Sequence, residues 1–182
     1  MKKLAKTLML LMLASIMILC AACGDNTDPT TTAPKDSSFD KYPANFSDWT
    51  LAEMKTYLKD RNVTANESFM SMDLTSGDLT AMKATAGTMY MDFETGSVVD
   101  IYFLYDLNDA EQKAVYDGIL ANKVLAINGD METAQAIDAV VGHFCFQYLT
   151  GYDEEHINAL TQALKDLTAH YGLEGGYVSD FQ

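Results

Sequence analysis

Between Glu67 and Leu107 the hydropathy period changes from helical to alternating, and turn residues break the alternation into short segments. Successive segments of that kind build neighbouring antiparallel strands. Ser68–Asp73, Thr80–Thr85, Thr88–Phe93 and Ser97–Tyr105 are the expected strands, interrupted at Ser76-Gly77-Asp78, at Gly87 and at Glu94-Thr95-Gly96. The last two form the strongest hairpin. Met89, Met91 and Phe93 share one face, and Val99, Ile101, Phe103 and Tyr105 share one face of the next strand. Burying both sets together predicts Met91 opposite Ile101, Phe93 opposite Val99 and Met89 opposite Phe103.

The same register sets Asp92 opposite Asp100 and Tyr90 opposite Tyr102 on the other face, with Glu94 next along. Like charges directly across a ladder repel unless something sits between them. Tyr90, Asp92, Glu94, Asp100 and Tyr102 are therefore the candidate ligand-binding residues. A hard cation would relieve the carboxylates, and paired tyrosines beside acids suit a sugar or a cationic peptide. The alternatives are that both carboxylates point into water, or that the loop sets another register.

Helical signals flank this region. Thr50 and Glu53 make a capping box, Trp49 and Met54 occupy the staple positions, and Leu51, Met54, Tyr57 and Leu58 form one face up to about Arg61. Asn108 and Glu111 make a second box for a helix to about Asn122, followed by a short strand at Lys123–Ile127 and a turn at Asn128-Gly129. Ala134, Ile137, Val141, Phe144 and Tyr148 recur at steps of three and four, predicting a helix from Asp130 to Leu149, although Val140–Leu149 also reads as strand. A last helix runs from an Asp153 cap to Tyr171, with Gly172 as its stop and a loosely ordered tail beyond. The expected architecture is an α+β domain over residues 46–182, an antiparallel sheet of about four strands covered by three or four helices.

No nucleophile–base arrangement is legible. His143 and Cys145 are two residues apart, which separates them on a helix and sets them side by side on a strand, so a core histidine and a buried cysteine describe them better. His156 and His170 lie fourteen residues apart, about 21 Å along a helix, too far to share a metal ion. Phosphate-loop, nucleophile-elbow, zincin and Cys-x-x-Cys signatures are absent. The sequence thus assigns no catalytic residue, no metal ligands and no cofactor.

The N-terminus carries the one address signal. Lys2, Lys3 and Lys6 precede an uncharged run from Leu8 to Leu19, too short to span about 30 Å of hydrocarbon, and then Cys20-Ala21-Ala22-Cys23-Gly24. This stretch resembles the bacterial lipoprotein signal with its lipobox. The resemblance covers residues 1–23 and implies cleavage before Cys23, acylation of the Cys23 sulfur, and a protein held on the cell membrane facing outside the cytoplasm. Cys20 stands where that class usually has leucine. Residues 23–45, rich in Asp, Thr, Ser and Pro, are expected to be a disordered tether.

Removing the leader takes three of the twelve basic residues, leaving nine against 26 acidic ones, a formal charge of −17. That balance excludes nucleic-acid binding and binding flat on anionic lipid, both of which need basic patches. With Cys20 removed and Cys23 acylated, Cys145 is left alone, so no disulfide supports the domain. The expected function is a non-catalytic, membrane-anchored binding module for an envelope protein, a glycan or a cationic peptide. Its rivals are a surface hydrolase with acids assembled from separate elements, and a protective lipoprotein that intercepts a cationic peptide.

Overall fold

The computed structural model describes residues 37–64, 68–149 and 154–180. Strands β1 (Phe69–Asp73), β2 (Ala86–Asp92), β3 (Ser97–Leu104), β6 (Ala139–Val141), β7 (Phe144–Tyr148) and β8 (Tyr177–Val178) form one sheet in the order β1-β2-β3-β7-β6-β8, and β4 (Val124–Ile127) with β5 (Asp130–Ala136) forms a separate two-stranded ribbon. The ladders run antiparallel. The helices are α1 (Leu51–Asp60), α2 (Ser76–Met82), α3 (Ala110–Asn122) and α4 (Glu154–Tyr171). The fold is mixed α/β as expected, with a sheet larger than four strands.

Each face of the sheet is covered by its own core. On one face Met54, Tyr57 and Leu58 of α1 and Ile157, Leu160, Leu164 and Leu167 of α4 pack on Tyr90, Tyr102, Phe144 and Phe146. On the other, Tyr116 and Ile119 of α3 and Leu125 of the ribbon pack on Phe103, Val140 and Cys145. Fully burying one such side chain is worth roughly 1.5–3 kcal/mol, so these two layers supply the stability, Cys145 being a free thiol among the described residues. The Tyr57 hydroxyl donates to the Ala163 carbonyl at 2.7 Å and ties α1 to α4.

The helix signals hold where their chemistry is local. Thr50 N–H donates to the Glu53 carboxylate at 2.9 Å, and Trp49 and Met54 share the core as a staple should. The cap of α3 is Asp109 rather than Asn108, its carboxylate accepting from the backbone of Glu111 and Gln112. Gly172 follows α4 at φ +59°. The expected cap Asp153 lies outside the described residues.

Four expectations are corrected. Thr80–Thr85 is not a strand: Thr75 and Asp78 close a capping box, and α2 follows. The segment from Asp130 to Leu149 is three strands instead of a helix, because Asn128 and Gly129 at positive φ turn β4 into β5, and Gly142 at φ +56° turns β6 into β7. The tail is ordered as β8, pairing with β6 at Ala139–Val178 and Val140–Tyr177. The folded body also begins before residue 46, since Phe39 is buried and stacks on His170 with 3.9 Å between ring centroids.

Gly142 also admits no side chain: a Cβ there would stand 2.3 Å from Cε1 of Phe46. Replacing Gly142 with Ala is expected to cost about 2–4 kcal/mol through the left-handed backbone and the displaced ring, read as a lower urea midpoint at unchanged slope.

Candidate functional site

The hairpin β2–β3 exists, with a register other than the expected one. Tyr90 opposes Asp100, Met89 opposes Ile101, Met91 opposes Val98 and Asp92 opposes Ser97. The ladder slips between Tyr90 and Met91, leaving Val99 as an extra residue that turns into the α1–α4 core. Asp92 and Asp100 are therefore not cross-strand partners, and neither are Tyr90 and Tyr102. The slip follows from burial on both faces: either side of β3 can enter a core, so packing the Val99–Tyr105 set on one face no longer fixes the register.

The five expected ligand-binding residues divide into three groups. Asp92 closes the β2–β3 turn, its carboxylate accepting from Glu94 N–H at 2.9 Å and from the Thr95 hydroxyl at 3.0 Å. Glu94 is exposed in that turn. Tyr90, Asp100 and Tyr102 are buried beneath α4 with 5%, 0% and 0% of their surface exposed, so they do not form an exposed acidic face.

Asp100 has a partner there that local pattern could not pair with it. Its Oδ2 lies 2.6 Å from Nε2 of His156 on α4, and Tyr148 of β7 stands directly across the ladder. A single proton on either atom completes that contact. Burial pushes the Asp100 carboxyl up, and His156 opposes the rise. Burial first, and the Asp100 charge second, push the Tyr102 hydroxyl well above its ordinary range. Asp100 Oδ1 and the Tyr102 hydroxyl adjoin without meeting the geometry of a hydrogen bond, and so do the hydroxyls of Tyr148 and Thr161. This polar row is sealed between sheet and helix.

An open groove of about 430 Å³ lies instead at the end of β3, where the chain leaves for α3. Leu104, Leu107, Trp49 and Tyr105 supply its apolar surface, and Ser47, Asp106, Asn108 and His143 its polar groups. Asp106 is held by local geometry, its Oδ1 accepting from Asn108 N–H at 2.9 Å, while Gln112 takes the Asp106 N–H. His143 Nε2 is 3.0 Å from the Trp49 carbonyl, which can only accept, so that nitrogen carries the proton. Burial depresses the His143 pKa against the bond to Trp49, so the neutral ring leaves Nδ1 as an acceptor. Cys145 does not meet His143: it is buried in the opposite core, where burial pushes its thiol up.

Cys23 lies outside the described residues. Among the described residues no helix is long and apolar enough to cross a membrane, and no three His, Cys, Asp or Glu side chains gather in a metal-binding group. The chain matches no protein-family model, no curated protein and no solved structure.

Since the Asp100 carboxyl is raised on folding, the folded protein holds its proton to higher pH than the unfolded chain. The associated stability is present below about pH 4 and is lost as pH rises through the folded value. The stability of wild type relative to Asp100→Asn should therefore fall with increasing pH in urea titrations. His156→Phe, which strands the carboxylate, should cost roughly 3 kcal/mol at neutral pH, and much of that cost should vanish in the Asp100→Asn background.

Proposed function

We propose that the chain is a lipid-anchored extracytoplasmic binding module that receives a cationic peptide segment in the groove beside Asp106. The anchor is supported by the order of residues 1–23: a basic start, a short apolar run, and Ala21-Ala22 before Cys23. A tether rich in Asp, Thr and Pro from Gly24 to Asp36 would let the body stand some 20 Å from the bilayer on average. Distance suits an acidic body, the chain after the leader carrying a formal charge of −17, which an anionic lipid surface repels.

The groove carries the ligand class. Asp106 is the one acidic side chain in its lining and Asn108, Ser47 and the His143 Nδ1 add acceptors, so a ligand rich in donors satisfies it. Leu104 and Leu107 give an apolar neighbour to the stem of a lysine or arginine. The acidity of the whole chain raises the local concentration of such a ligand. A hydrolase using Asp100 and His156 is the weaker reading, because that pair is buried and a general acid must come within hydrogen-bond reach of the reacting atom.

Cys23→Ser should move the protein from the membrane fraction to the medium and abolish incorporation of a labelled fatty acid; retention on the membrane with label intact would refute the anchor. For the groove, calorimetric titration of an octapeptide of lysine and leucine should show binding that weakens with added salt. Leu107→Lys and Asp106→Asn should each weaken it about tenfold or more. Equal affinity for both variants, or tighter binding of a neutral cell-wall oligosaccharide than of the peptide, would overturn the peptide assignment.

A further inference from the structure

The face of the sheet covered by α3 continues past that helix onto β1 and β2, and there it carries four methionines. Met70 lies directly opposite Met91, and Met72 directly opposite Met89. Directly opposed residues share a face, and this part of β2 is regular against β1, so all four side chains rise from the same side. The two pairs are one two-residue step apart, about 6.6 Å along the strands, and opposed Cβ atoms stand about 4.5–5.5 Å apart. Flexible thioethers from such a square can converge above its centre.

Packing alone does not call for methionine here. Its adaptability fills irregular gaps in a closed core, whereas these positions lie on a regular ladder at the margin of the core. Met72 is 41% exposed, and Met70 and Met91 are partly exposed and belong to neither core, while Met89 only borders the second. A pleated surface of this kind favours β-branched and aromatic residues. The adjoining strand obeys that preference on the same face, with Val98 opposite Met91 and Ile101 opposite Met89. Sulfur, rather than apolar volume, distinguishes the four positions.

We propose that Met70, Met72, Met89 and Met91 form a binding site for a soft monovalent cation, Cu(I) or its analogue Ag(I). Thioether ligands select soft ions, and a neutral ligand set offers little to hard divalent ions that seek carboxylates. The site requires neither the lipid anchor nor the groove, and lies on a different part of the sheet.

The test uses the full chain in detergent, labelled with carbon-13 at the methionine methyls, and titrated with silver nitrate in chloride-free buffer. The four resonances, assigned through the single changes Met70→Leu, Met72→Leu, Met89→Leu and Met91→Leu, should shift together on one saturable 1:1 step. Zinc at the same concentration should leave them in place. Each leucine variant keeps the apolar volume, and each should weaken the step at least tenfold. The readout is resolved by residue, so silver taken up by a thiol elsewhere does not mimic it. The proposal is overturned if these methyls do not shift, if Met54, Met82 and Met131 shift with the same dependence, or if the single variants bind silver undiminished.

Discussion

A carboxylate at the middle of a central strand faces a helix here instead of water, and His156 on α4 makes that tolerable. Asp100 belongs to β3, which lies between β2 and β7, and its side chain points into the layer formed by α1 and α4. An isolated buried carboxylate would cost several kcal/mol or stay protonated. The contact at 2.6 Å restricts where α4 can lie, because a slide of one residue along the helix would move the imidazole away. Apolar packing tolerates small sliding; a short directional contact between two buried groups does not. The pair thus supplies register between helix and sheet, while Leu160, Leu164 and Leu167 supply apolar burial.

Coverage of both sheet faces also explains which parts of the fold are legible in the sequence. Helix starts are written in three or four adjacent residues, so Thr50 with Glu53, and the cluster at Asn108 to Glu111, identify α1 and α3 to within a residue of their caps. Strand faces are written in alternation, which separates a wet side from a dry one. In β3 both sides are dry, with Asp100 and Tyr102 under one core and Phe103 under the other. Alternation then says strand and says nothing about register. The Asp130–Leu149 segment misleads for a related reason: Ala134, Ile137, Val141, Phe144 and Tyr148 satisfy a helical spacing although β5, β6 and β7 are separate strands. The decisive signals were single residues, Gly129 and Gly142, both at positive φ.

The same reasoning accounts for the candidate site. Asp92 and Asp100 gave a like-charge pair only under a register two residues away from the observed one, which sets Asp100 opposite Tyr90. The contact that does exist, between residues 100 and 156, spans 56 positions and two kinds of element. Its sequence trace was a histidine beside the apolar stripe of the last helix, which could not name its partner. The groove was equally hidden, because Ser47, Asp106 and His143 come from three separate stretches brought together at one end of the sheet.

Charge and burial are divided between two parts of the molecule, and the division bears on what the surface can receive. The buried carboxylates are bonded, Asp100 to His156 and Asp92 within its own turn, while paired lysines are spent on local bridges such as Lys113 to Asp117 at 2.6 Å and Lys55 to Asp73 at 3.1 Å. With 26 acidic residues against twelve basic ones, more than half of the carboxylates have no lysine or arginine to pair with. Surface bridges of this kind add at most about 1 kcal/mol each and are screened by salt, so they do not hold the fold. The excess acidity instead sets a long-range negative field, which attracts cations and repels anions. Within that field an acceptor-lined groove and a square of thioethers differ in kind: one selects by charge and hydrogen bonding, the other by the softness of sulfur, and a single cation does not satisfy both.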